Sequence, residues 1–562
     1  MRKACVILVM LAACSTVFVQ AGAPPVRSKT GMVISASDIA SQVGARVLKD
    51  GGNAIDAAVA TAFALAVTHP TAGNIGGGGF LLYRSADGEA AAYDFREKAP
   101  ARASPTMFLV EGKYDSAVHH NGYLSVGVPG TVAGLYLAWK ERGKLPWKRL
   151  VEPAVTLARD GFPVSDGLAR SLAGVLPRMQ KYPSSIAQFS KDGVPYASGD
   201  ILKQPVLAAT LRRIANQGPA GFYDGPTAEA FEREMRAHGG LITREDLKRY
   251  TAVHRTPIQG TYRGYDVIAM PLPTSGGVAL IEMLNILEGY DLASMGAGSA
   301  MAVHLMTESM KRVFADRAAL LGDPDFNRDI PLGRLLSKPY AAELRKTISR
   351  DHATKSSPTT FEWPKESVET THLSVVDSDG NAVSMTYTIE QAYGVKIVLP
   401  GGGFLLNNEM GDFNAAPGLT TADGLIGTPA NLAQPGKRML SSMSPTILLK
   451  DGRLFMVTGS PGGRTIINTV LQTIVNVIDF GMDAQEAVDA GRFHHQWLPD
   501  RIVYERFSLS PDALAVLRAK GHEVLRGDNQ GVAEVIVYNA VDNVLEGGID
   551  RRQPDGGAAS PR

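Results

Sequence analysis

Two threonines, Thr370 and Thr388, are the residues of this sequence whose spacing points most directly to chemistry. Thr370 opens a β-rich run over residues 370–376, and Thr388 closes a second run over residues 382–388. The cluster between them, residues 377–381, contains Asp-Gly, which is a strong hairpin signal. Antiparallel pairing about the centre of that turn places the two threonines opposite each other, with Cβ atoms about 4.5–5.5 Å apart.

A cut of the chain between Glu369 and Thr370 would turn this hairpin into a catalytic group. Thr370 would then be an N-terminal nucleophile whose own α-amine serves as its base. The alternative interpretation is a hairpin without chemistry, because threonine is an ordinary strand residue. The spacing alone leaves both interpretations open.

A glycine-rich segment offers a place for the negative charge that acyl transfer develops. Residues 458–464 end a predicted strand and precede a helix that begins near Thr465, with Gly462 and Gly463 at the turn. Backbone amides at a helix N-terminus point outward and favour negative charge, which suits an oxyanion hole. The alternative is a tight turn that needs glycine only for its dihedral angles.

Six polar residues could bind charged groups of a small molecule. Arg96 could form a bidentate pair with a carboxylate, or could simply neutralise Asp94 or Glu97. Two adjacent serine hydroxyls could bind the same carboxylate, and three acidic side chains suit an ammonium ion if they converge. Otherwise the serines are ordinary loop residues and the acids are surface charges. These residues are Arg96, Ser441, Ser442, Glu390, Glu409 and Asp412.

The sequence also excludes or disfavours several function classes. It has no Gly-x-Ser-x-Gly elbow and no phosphate-loop motif, and the glycines at 76–79 are followed by Leu81 where a dinucleotide fingerprint needs glycine. The balance of 57 basic and 56 acidic side chains gives no basic patch for nucleic acid. Adjacent histidines have diverging side chains, so we predict a structural role rather than metal ligation for the pairs His119-His120 and His494-His495.

The N-terminal segment is typical of an exported protein. Arg2 and Lys3 precede an apolar stretch over residues 5–19, which is too short and too close to the terminus for a good membrane span. We predict a signal peptide over residues 1–21 and a periplasmic location; the alternative is a lipoprotein with its lipid on Cys14. Both cysteines, Cys5 and Cys14, lie in this segment, so a nucleophile of the mature chain is a hydroxyl rather than a thiol.

A polar segment divides the remaining chain into a helical part and a strand-rich part. From residue 33 to about 350 the pattern is mostly helical, and residues 351–369 lack apolar periodicity and indicate an exposed linker. Helices are also predicted over residues 466–480 and 511–520. Sheets inside and helices outside predict an α/β or α+β layered fold in which both parts share one core. The strands predicted after the hairpin are 403–407, 444–449, 453–458 and 532–539.

The order of short motifs along the chain resembles a bacterial γ-glutamyltranspeptidase, an N-terminal nucleophile hydrolase. The similarity runs from about Gly31 to the tail at residues 550–552 and rests on many matches in the same order. Among them are Gly51-Gly52-Asn53-Ala54-Ile55-Asp56, Asp94-Phe95-Arg96-Glu97, Thr370-Thr371-His372, Asn407-Asn408-Glu409-Met410, Ser441-Ser442-Met443-Ser444-Pro445 and Gly459-Ser460-Pro461-Gly462-Gly463.

The resemblance implies an α+β fold, a four-layer αββα sandwich assembled from two subunits of one precursor. Self-cleavage between Glu369 and Thr370 would separate a large subunit, residues 22–369, from a small catalytic subunit, residues 370–562. It implies that Thr370 is the nucleophile and that Thr388 positions its hydroxyl. The oxyanion hole implied by the resemblance consists of Gly462 and Gly463.

The resemblance also assigns the six polar residues to the two ends of a γ-glutamyl donor. Its α-carboxylate would be held by Arg96, Ser441 and Ser442. Its α-ammonium would be held by Glu390, Glu409 and Asp412. The implied activity is transfer of the γ-glutamyl group of glutathione and related amides to water, amino acids or short peptides, without a metal or an organic cofactor.

Related alternatives share the nucleophile or the processing. A glutaryl-cephalosporin acylase would use the same hydroxyl, but its substrate lacks the α-ammonium that the three acids suit. A second alternative is a transferase that cuts poly-γ-glutamate. A third is a scaffold protein that cleaves itself but turns over no substrate.

Two departures from the family pattern concern the substrate pocket. Many members carry asparagine at the place of Glu390, which leaves the contact of this residue open. Many also close a lid loop with a tyrosine, whereas residues 417–425 here contain none, and Asp423 stands at the corresponding place. We therefore expect a more open site with altered access for acceptor or water.

Overall fold

Two seven-stranded antiparallel sheets form the centre of the molecule, in a computed structural model that describes residues 22–356, 370–419 and 427–561. The sheet that contains the glycine-rich segment, called here the glycine-loop sheet, has the strand order Val26–Ser28, Val544–Ile549, Glu534–Asn539, Arg453–Gly459, Thr446–Lys450, Tyr265–Ala269 and Ile258–Tyr262. The hairpin sheet has the strand order Val253–Arg255, Ala90–Asp94, Gly78–Arg84, Ala382–Thr388, Thr371–Val376, Met32–Ser35 and Gly557–Ala559.

Helices cover the outer faces of both sheets. Those before residue 250 are Asp38–Lys49, Ala54–Thr68, Ser116–His120, Thr131–Arg142, Trp147–Asp160, Asp166–Met179, Pro183–Phe189, Pro205–Gln217, Ala220–Tyr223, Gly225–Ala237 and Arg244–Arg249. Those after it are Gly276–Leu287, Leu292–Met295, Ala300–Leu320, Leu332–Leu335, Lys338–Lys346, Thr465–Ile478, Ala484–Asp489 and Pro511–Ala519. Short 3-10 turns occur at Tyr123–Ser125, Glu409–Asp412 and Pro429–Asn431. Among the described residues, no helix is both long enough and apolar enough to cross a membrane.

Successive side chains of the hairpin strands point to opposite faces of the sheet and therefore belong to different layers of the core. Leu373 and Val375 join an apolar cluster with the helix Ala54–Thr68 on one face. His372 and Ser374 point to the other face, where the Ser374 hydroxyl donates to a carbonyl of the glycine-loop sheet, at Glu534, 2.9 Å away. A second cluster joins both sheets to the helices beyond the glycine-loop sheet. Helix, sheet, sheet and helix are therefore stacked, and the predicted αββα sandwich is confirmed.

Both sheets combine strands from the two sides of the linker. In the hairpin sheet, Gly78–Arg84 pairs along its full length with Ala382–Thr388. In the glycine-loop sheet, Tyr265–Ala269 pairs with Thr446–Lys450. A cut within the linker would therefore leave the two parts joined by continuous backbone hydrogen bonds, and the shared core expected from the sequence is present.

The hairpin turn is built by the side chain of Asp377. Its Oδ1 accepts the amides of Asp379 and Asn381 at 3.0 and 2.9 Å, and Gly380 adopts a left-handed φ of +87°. Its Oδ2 accepts the amide of Ala54 at 3.0 Å. The turn is thereby tied to the first residue of the helix that packs on the hairpin.

One predicted strand is wrong, and part of the linker lies outside the described residues. Residues 403–407 form no strand, because Leu405 makes only an isolated bridge to Val398, and Gly403 turns the backbone with a φ of +74°. The other three predicted strands are present at Thr446–Lys450, Arg453–Gly459 and Glu534–Asn539. Residues 351–356 contain no helix or strand. The signal segment, residues 357–369 with Glu369, and the lid residues 420–426 with Asp423 are not among those described.

Candidate active site

One small cavity, of about 20 Å³, brings together nine of the ten described residues that the sequence singles out as a site. The tenth, Gly462, is the chain neighbour of the lining residue Gly463. Met443 and Ile466 complete the lining, and neither was expected from the sequence. The nine are Arg96, Thr370, Thr388, Glu390, Glu409, Asp412, Ser441, Ser442 and Gly463.

The two threonine hydroxyls meet at the end of the hairpin ladder. Thr371 is paired with Tyr387, so Thr370 lies opposite Thr388, as the spacing predicts. Thr370 Oγ1 donates to Thr388 Oγ1 at 3.4 Å, which is long for a hydroxyl pair. Thr388 Oγ1 also accepts the amide of Glu390 at 2.9 Å. Thr370 is only 7% exposed and, like Thr388, lines the cavity.

The glycine-rich segment brings Gly463 to the same cavity, and Gly462 precedes it in the chain. Gly462 and Gly463 have φ angles of +131° and +54°, which side-chain-bearing residues rarely adopt. Their carbonyls accept the amides of Thr465 and Ile466, the first residues of the helix Thr465–Ile478. Neither glycine amide donates a hydrogen bond within the described part of the chain. Such amides at a helix N-terminus can stabilise a negatively charged oxygen.

Arg96 is fully buried at the end of the strand Ala90–Asp94 and is surrounded by three carboxylates. Its guanidinium donates to Glu409 and to Asp412, and it lies 3.6 Å from Glu97. Burial acts to lower the pKa of Arg96, but the three carboxylates outweigh it and raise that pKa above its ordinary value. Arg96 is predicted to bind the carboxylate of a donor, and Glu409 and Asp412 its ammonium group. In this structure these oppositely charged side chains contact each other directly.

Burial also shifts the pKa values of two of the acids around this guanidinium. It raises the pKa of Glu97 and that of Glu409 above their ordinary values, and the charge of Arg96 opposes both shifts. Three ionised carboxylates around one guanidinium would leave a buried excess of negative charge. A positive group entering this end of the cavity would relieve that excess, whereas a second anion would increase it.

The serine pair is held by a residue that the sequence analysis missed. Arg317, on the helix Ala300–Leu320, donates to Ser442 Oγ at 2.9 Å and to Ser275 Oγ at 2.7 Å. Ser441 Oγ accepts the amide of Met443 at 3.1 Å. Arg317 is nearly fully buried, and a cation inside an otherwise apolar helix face is the one sequence signal that could have indicated it.

The two adjacent histidine pairs are held by hydrogen bonds. His119 contacts the Tyr114 hydroxyl and the Met410 carbonyl, each at 3.1 Å. His120 Nδ1 lies 3.1 Å from Glu390 Oε1, a contact that the sequence did not indicate. In the second pair, His494 contacts Asn468 at 2.7 Å and His495 contacts Asp500 at 3.2 Å.

One buried group within the described residues has side chains of types that ligate metals: His304, Glu308 and His522. The side chains of these three residues already form hydrogen bonds or ion pairs with each other and with neighbouring groups. His304 Nδ1 lies 2.7 Å from His522 Nε2, and Glu308 pairs with Arg312 at 2.7 Å. None of the three lines the cavity that contains Thr370. The geometry thus favours a hydrogen-bonded network over an ion site.

Comparison with known proteins agrees with this geometry. A family model described as Gamma-glutamyltranspeptidase matches residues 40–560. The chain belongs to the γ-glutamyltranspeptidase family. The family indicated by the order of motifs is thereby confirmed.

Individual members of the γ-glutamyltranspeptidase family and solved structures match over most of their length. The glutathione hydrolase proenzyme of Escherichia coli K12 is 50% identical over 539 residues, which cover 94% of this chain and 92% of the relative. A cephalosporin acylase from Bacillus halodurans superposes with a TM-score of 0.84 at 28% identity, covering 98% of this chain and 99% of that one. The Helicobacter pylori γ-glutamyltranspeptidase structure is 44% identical with a TM-score of 0.58, covering 59% of this chain and 95% of that one.

Proposed function

We propose that this chain is a γ-glutamyltransferase and glutathione hydrolase that matures by cutting itself between Glu369 and Thr370. The observation that carries the proposal is the composition of one cavity. A threonine hydroxyl, a glycine amide and a mixed set of charges line it together. The name of the Escherichia coli relative, a glutathione hydrolase proenzyme, supports both the substrate and the processing.

Maturation begins with the hydroxyl of Thr370. Its Oγ attacks the carbonyl carbon of Glu369, the C–N bond breaks, and the acyl group moves to oxygen as the nitrogen takes up a proton. Water then hydrolyses the ester, which leaves a carboxylate on Glu369 and a free α-amine on Thr370. An α-amine has a pKa of about 7.7–8.0, which suits a general base near neutral pH.

Donor recognition exchanges internal ion pairs for pairs with the substrate. Arg96, Ser441 and Ser442 are proposed to bind the α-carboxylate of the γ-glutamyl group. The acids that Arg96 contacts in this structure, Glu409 and Asp412, would then turn to the α-ammonium together with Glu390. Arg96, Glu409 and Asp412 each keep an opposite partner before and after the exchange, so the cost of an unpaired ion is avoided. A donor that lacks either charge would leave part of the set unpaired.

Acyl transfer follows from the same groups. The Thr370 α-amine accepts the hydroxyl proton as Oγ bonds to the γ-carbon of the donor amide. The developing oxyanion is stabilised by the Gly462 and Gly463 amides, and losing one such donor typically costs about 10²–10³ in kcat. The C–N bond breaks and the leaving nitrogen takes up the proton. Water or an acceptor amine then attacks the γ-glutamyl ester and returns the proton to Thr370 Oγ.

Turnover of γ-glutamyl-p-nitroanilide tests the proposal. We expect release of p-nitroaniline that accelerates when glycylglycine is added, because an amine acceptor competes with water for the ester. The product γ-glutamyl-glycylglycine should be detected by mass spectrometry. A purified, cut protein that releases no p-nitroaniline with or without acceptor would contradict the proposal and would support a self-cleaving scaffold.

An acylase is the second candidate, because the cephalosporin acylase structure superposes so closely. The three acids in the cavity argue against a glutaryl-cephalosporin acylase, since its substrate has no ammonium to pair with them. A preference for glutaryl-p-nitroanilide over γ-glutamyl-p-nitroanilide would favour the acylase.

Processing and location complete the proposal. We propose a heterodimer of residues 22–369 and 370–562 in the periplasm, reached through a signal peptide over residues 1–21. The lipoprotein anchored at Cys14 remains the alternative. Mass spectrometry of the mature protein reads both new N-termini, and a start at residue 22 or at a lipidated Cys14 distinguishes the two routes.

A further inference from the structure

The helix Ser116–His120 ends in a side chain that reaches one of the acids of the donor pocket. His120 Nδ1 lies 3.1 Å from Glu390 Oε1. The side chains of His120 and Glu390 are only 12% and 4% exposed, so water competes little for this contact. The pair lies against Gly411, where an added Cβ would come within 2.4 Å of His120 Nδ1 and 2.8 Å of Glu390 Oε2.

The backbone that carries His120 is firmly held. Asp115 caps the helix through the amides of Ala117 and Val118 at 2.8 and 3.1 Å. Asn408 Nδ2 donates to the carbonyl of His120 at 3.1 Å, from the segment that leads into Glu409. The imidazole therefore has a defined position relative to the acids of the pocket.

Glu390, in contrast, stands on a strained backbone. Its φ is +69°, a left-handed conformation that costs a side-chain-bearing residue free energy. Its amide donates to Thr388 Oγ1 at 2.9 Å, and Thr388 in turn contacts Thr370. The direction of the Glu390 carboxylate is thus coupled both to the hydroxyl pair and to His120.

The partner of Glu390 differs in kind from the partner of the other acids. Glu409 and Asp412 contact a guanidinium, which carries a full positive charge. An imidazole that donates from Nδ1 can orient the Glu390 carboxylate, and its charge, unlike that of a guanidinium, is not permanent. A carboxylate held in this way remains able to attract an ammonium ion.

We propose that His120 is a positioning residue that sets the selectivity of the site for donors with a free α-ammonium, by orienting Glu390. His120 itself does not line the cavity, so it acts through that acid. The inference rests on the proposed γ-glutamyl transfer and names a selectivity residue for it. Position 120 therefore requires a side chain that places an N–H where His120 has Nδ1.

Two donors separate this role from a general structural one. γ-Glutamyl-p-nitroanilide carries the α-ammonium, and glutaryl-p-nitroanilide keeps the carboxylate and the scissile anilide but lacks that group. For His120→Ala we expect KM for the γ-glutamyl donor to rise about tenfold with kcat within about threefold, because a hydrogen bond to a charged group is lost. The KM for the glutaryl donor should stay within about twofold, since it makes no ammonium contact.

Two conservative variants locate the required N–H. His120→Asn keeps an N–H near Nδ1 and should restore the KM of the γ-glutamyl donor to within about threefold of the wild type. His120→Gln places its N–H near Nε2 and should behave like the alanine variant. His238→Ala, which removes a half-exposed histidine elsewhere, should match the wild type with both donors. All variants are compared as cut, two-chain protein.

The outcomes distinguish the inference from the function on which it rests. Wild-type protein that does not turn over the γ-glutamyl donor would overturn the proposed function. Wild-type turnover combined with equal losses on both donors for His120→Ala, or with no loss on either, would overturn the role of His120 alone. Rescue by glutamine as well as asparagine would also overturn it, because the position of the N–H would then be irrelevant.

Discussion

The hydroxyl of Thr370 lies 3.4 Å from that of Thr388, one position beyond the last paired residues of a six-residue antiparallel ladder. This relationship is a direct consequence of hairpin register. With Thr371 opposite Tyr387, no other residue of the second strand can face Thr370. The candidate nucleophile is thus placed by local pairing, and the groups around it are placed by the packing of the two sheets.

Replacing Thr370 tests whether one hydroxyl performs both maturation and turnover. We expect Thr370→Ala to remain a single uncut chain without γ-glutamyl transfer, because no oxygen remains to attack the Glu369 carbonyl. Denaturing gel electrophoresis and intact mass measure the cut. Thr371→Val is the matched control, since it removes a buried hydroxyl from the neighbouring position and should still yield two chains. Normal processing in Thr370→Ala would rule out this hydroxyl as the cutting group.

Adding a methyl group at Gly462 tests the proposed oxyanion hole. A Cβ there would lie 2.5 Å from Thr465 Oγ1 and 3.1 Å from Gly531 Cα, at a φ of +131°. The loop must shift, so we expect Gly462→Ala to lower kcat by about 10²–10³ while KM changes little. The measurement is steady-state turnover of γ-glutamyl-p-nitroanilide by protein that has been cut.

The control for this substitution is Gly481→Ala. Gly481 also has a left-handed φ, +66°, but no atom lies within 4 Å of an added Cβ. It therefore imposes a similar backbone penalty, about 1 kcal/mol of stability, without moving the loop. If Gly481→Ala lowered kcat as much as Gly462→Ala, the loss would reflect general destabilisation instead of oxyanion binding.

Removing the charge of Arg96 should destabilise the fold as well as the pocket. Arg96→Met keeps most of the side-chain length but leaves Glu97, Glu409 and Asp412 without the cation that each of them contacts. We expect the free energy of unfolding to fall by about 3–5 kcal/mol, because a buried charge cluster loses its partner. Urea unfolding followed by tryptophan fluorescence measures this change.

The matching surface substitution is Arg149→Met, which breaks an exposed ion pair with Asp50 at 3.0 Å. Its cost should be within about 1 kcal/mol, since solvent already screens that pair. If both substitutions lowered the free energy of unfolding equally, the buried carboxylates around Arg96 would not depend on its charge as their contacts indicate.

Acidification should destabilise the protein through His304 and His522. When both rings are neutral, His304 Nε2 donates to the Ser349 carbonyl and its Nδ1 accepts from His522 Nε2 at 2.7 Å. Burial, helped by the charge of Lys311, lowers the pKa of His522 to about 3 from 6.5. Below pH 6.5 the unfolded chain binds a proton that the folded chain excludes, so stability is complete above 6.5 and is lost as pH falls toward 3.

The pH dependence has a specific test. His522→Gln retains an N–H toward His304 but cannot be protonated, so its unfolding free energy should fall less steeply with acidification. The difference in slope is at most about 1.4 kcal/mol per pH unit. His238→Gln, at an exposed position, should keep the wild-type slope. Urea midpoints between pH 7.5 and 4.5 provide the comparison, and parallel curves for wild type and His522→Gln would contradict the assignment.

The sequence by itself determined the parts of the site that depend on short separations. Thr370 and Thr388 are joined by an Asp-Gly turn, so strand propensity and alternation place them opposite each other without reference to the rest of the chain. Gly462 and Gly463 likewise follow from a strand, a turn and a helix in direct succession. The order of motifs also determined the family and, with it, the layered fold. The strand expected at 403–407 is absent because Gly403 turns the backbone and Leu405 makes only one bridge, to nearby Val398.

Only the tertiary structure decided which charged groups meet. Arg96 and Glu409 are 313 positions apart, and their contact exists because the folded chain brings both segments to one cavity. The same packing brings Arg317 to Ser442 and His120 to Glu390, neither of which has a local sequence signature. A single sequence records which residues are polar but not which distant polar residues share a buried space, because that depends on how the layers pack.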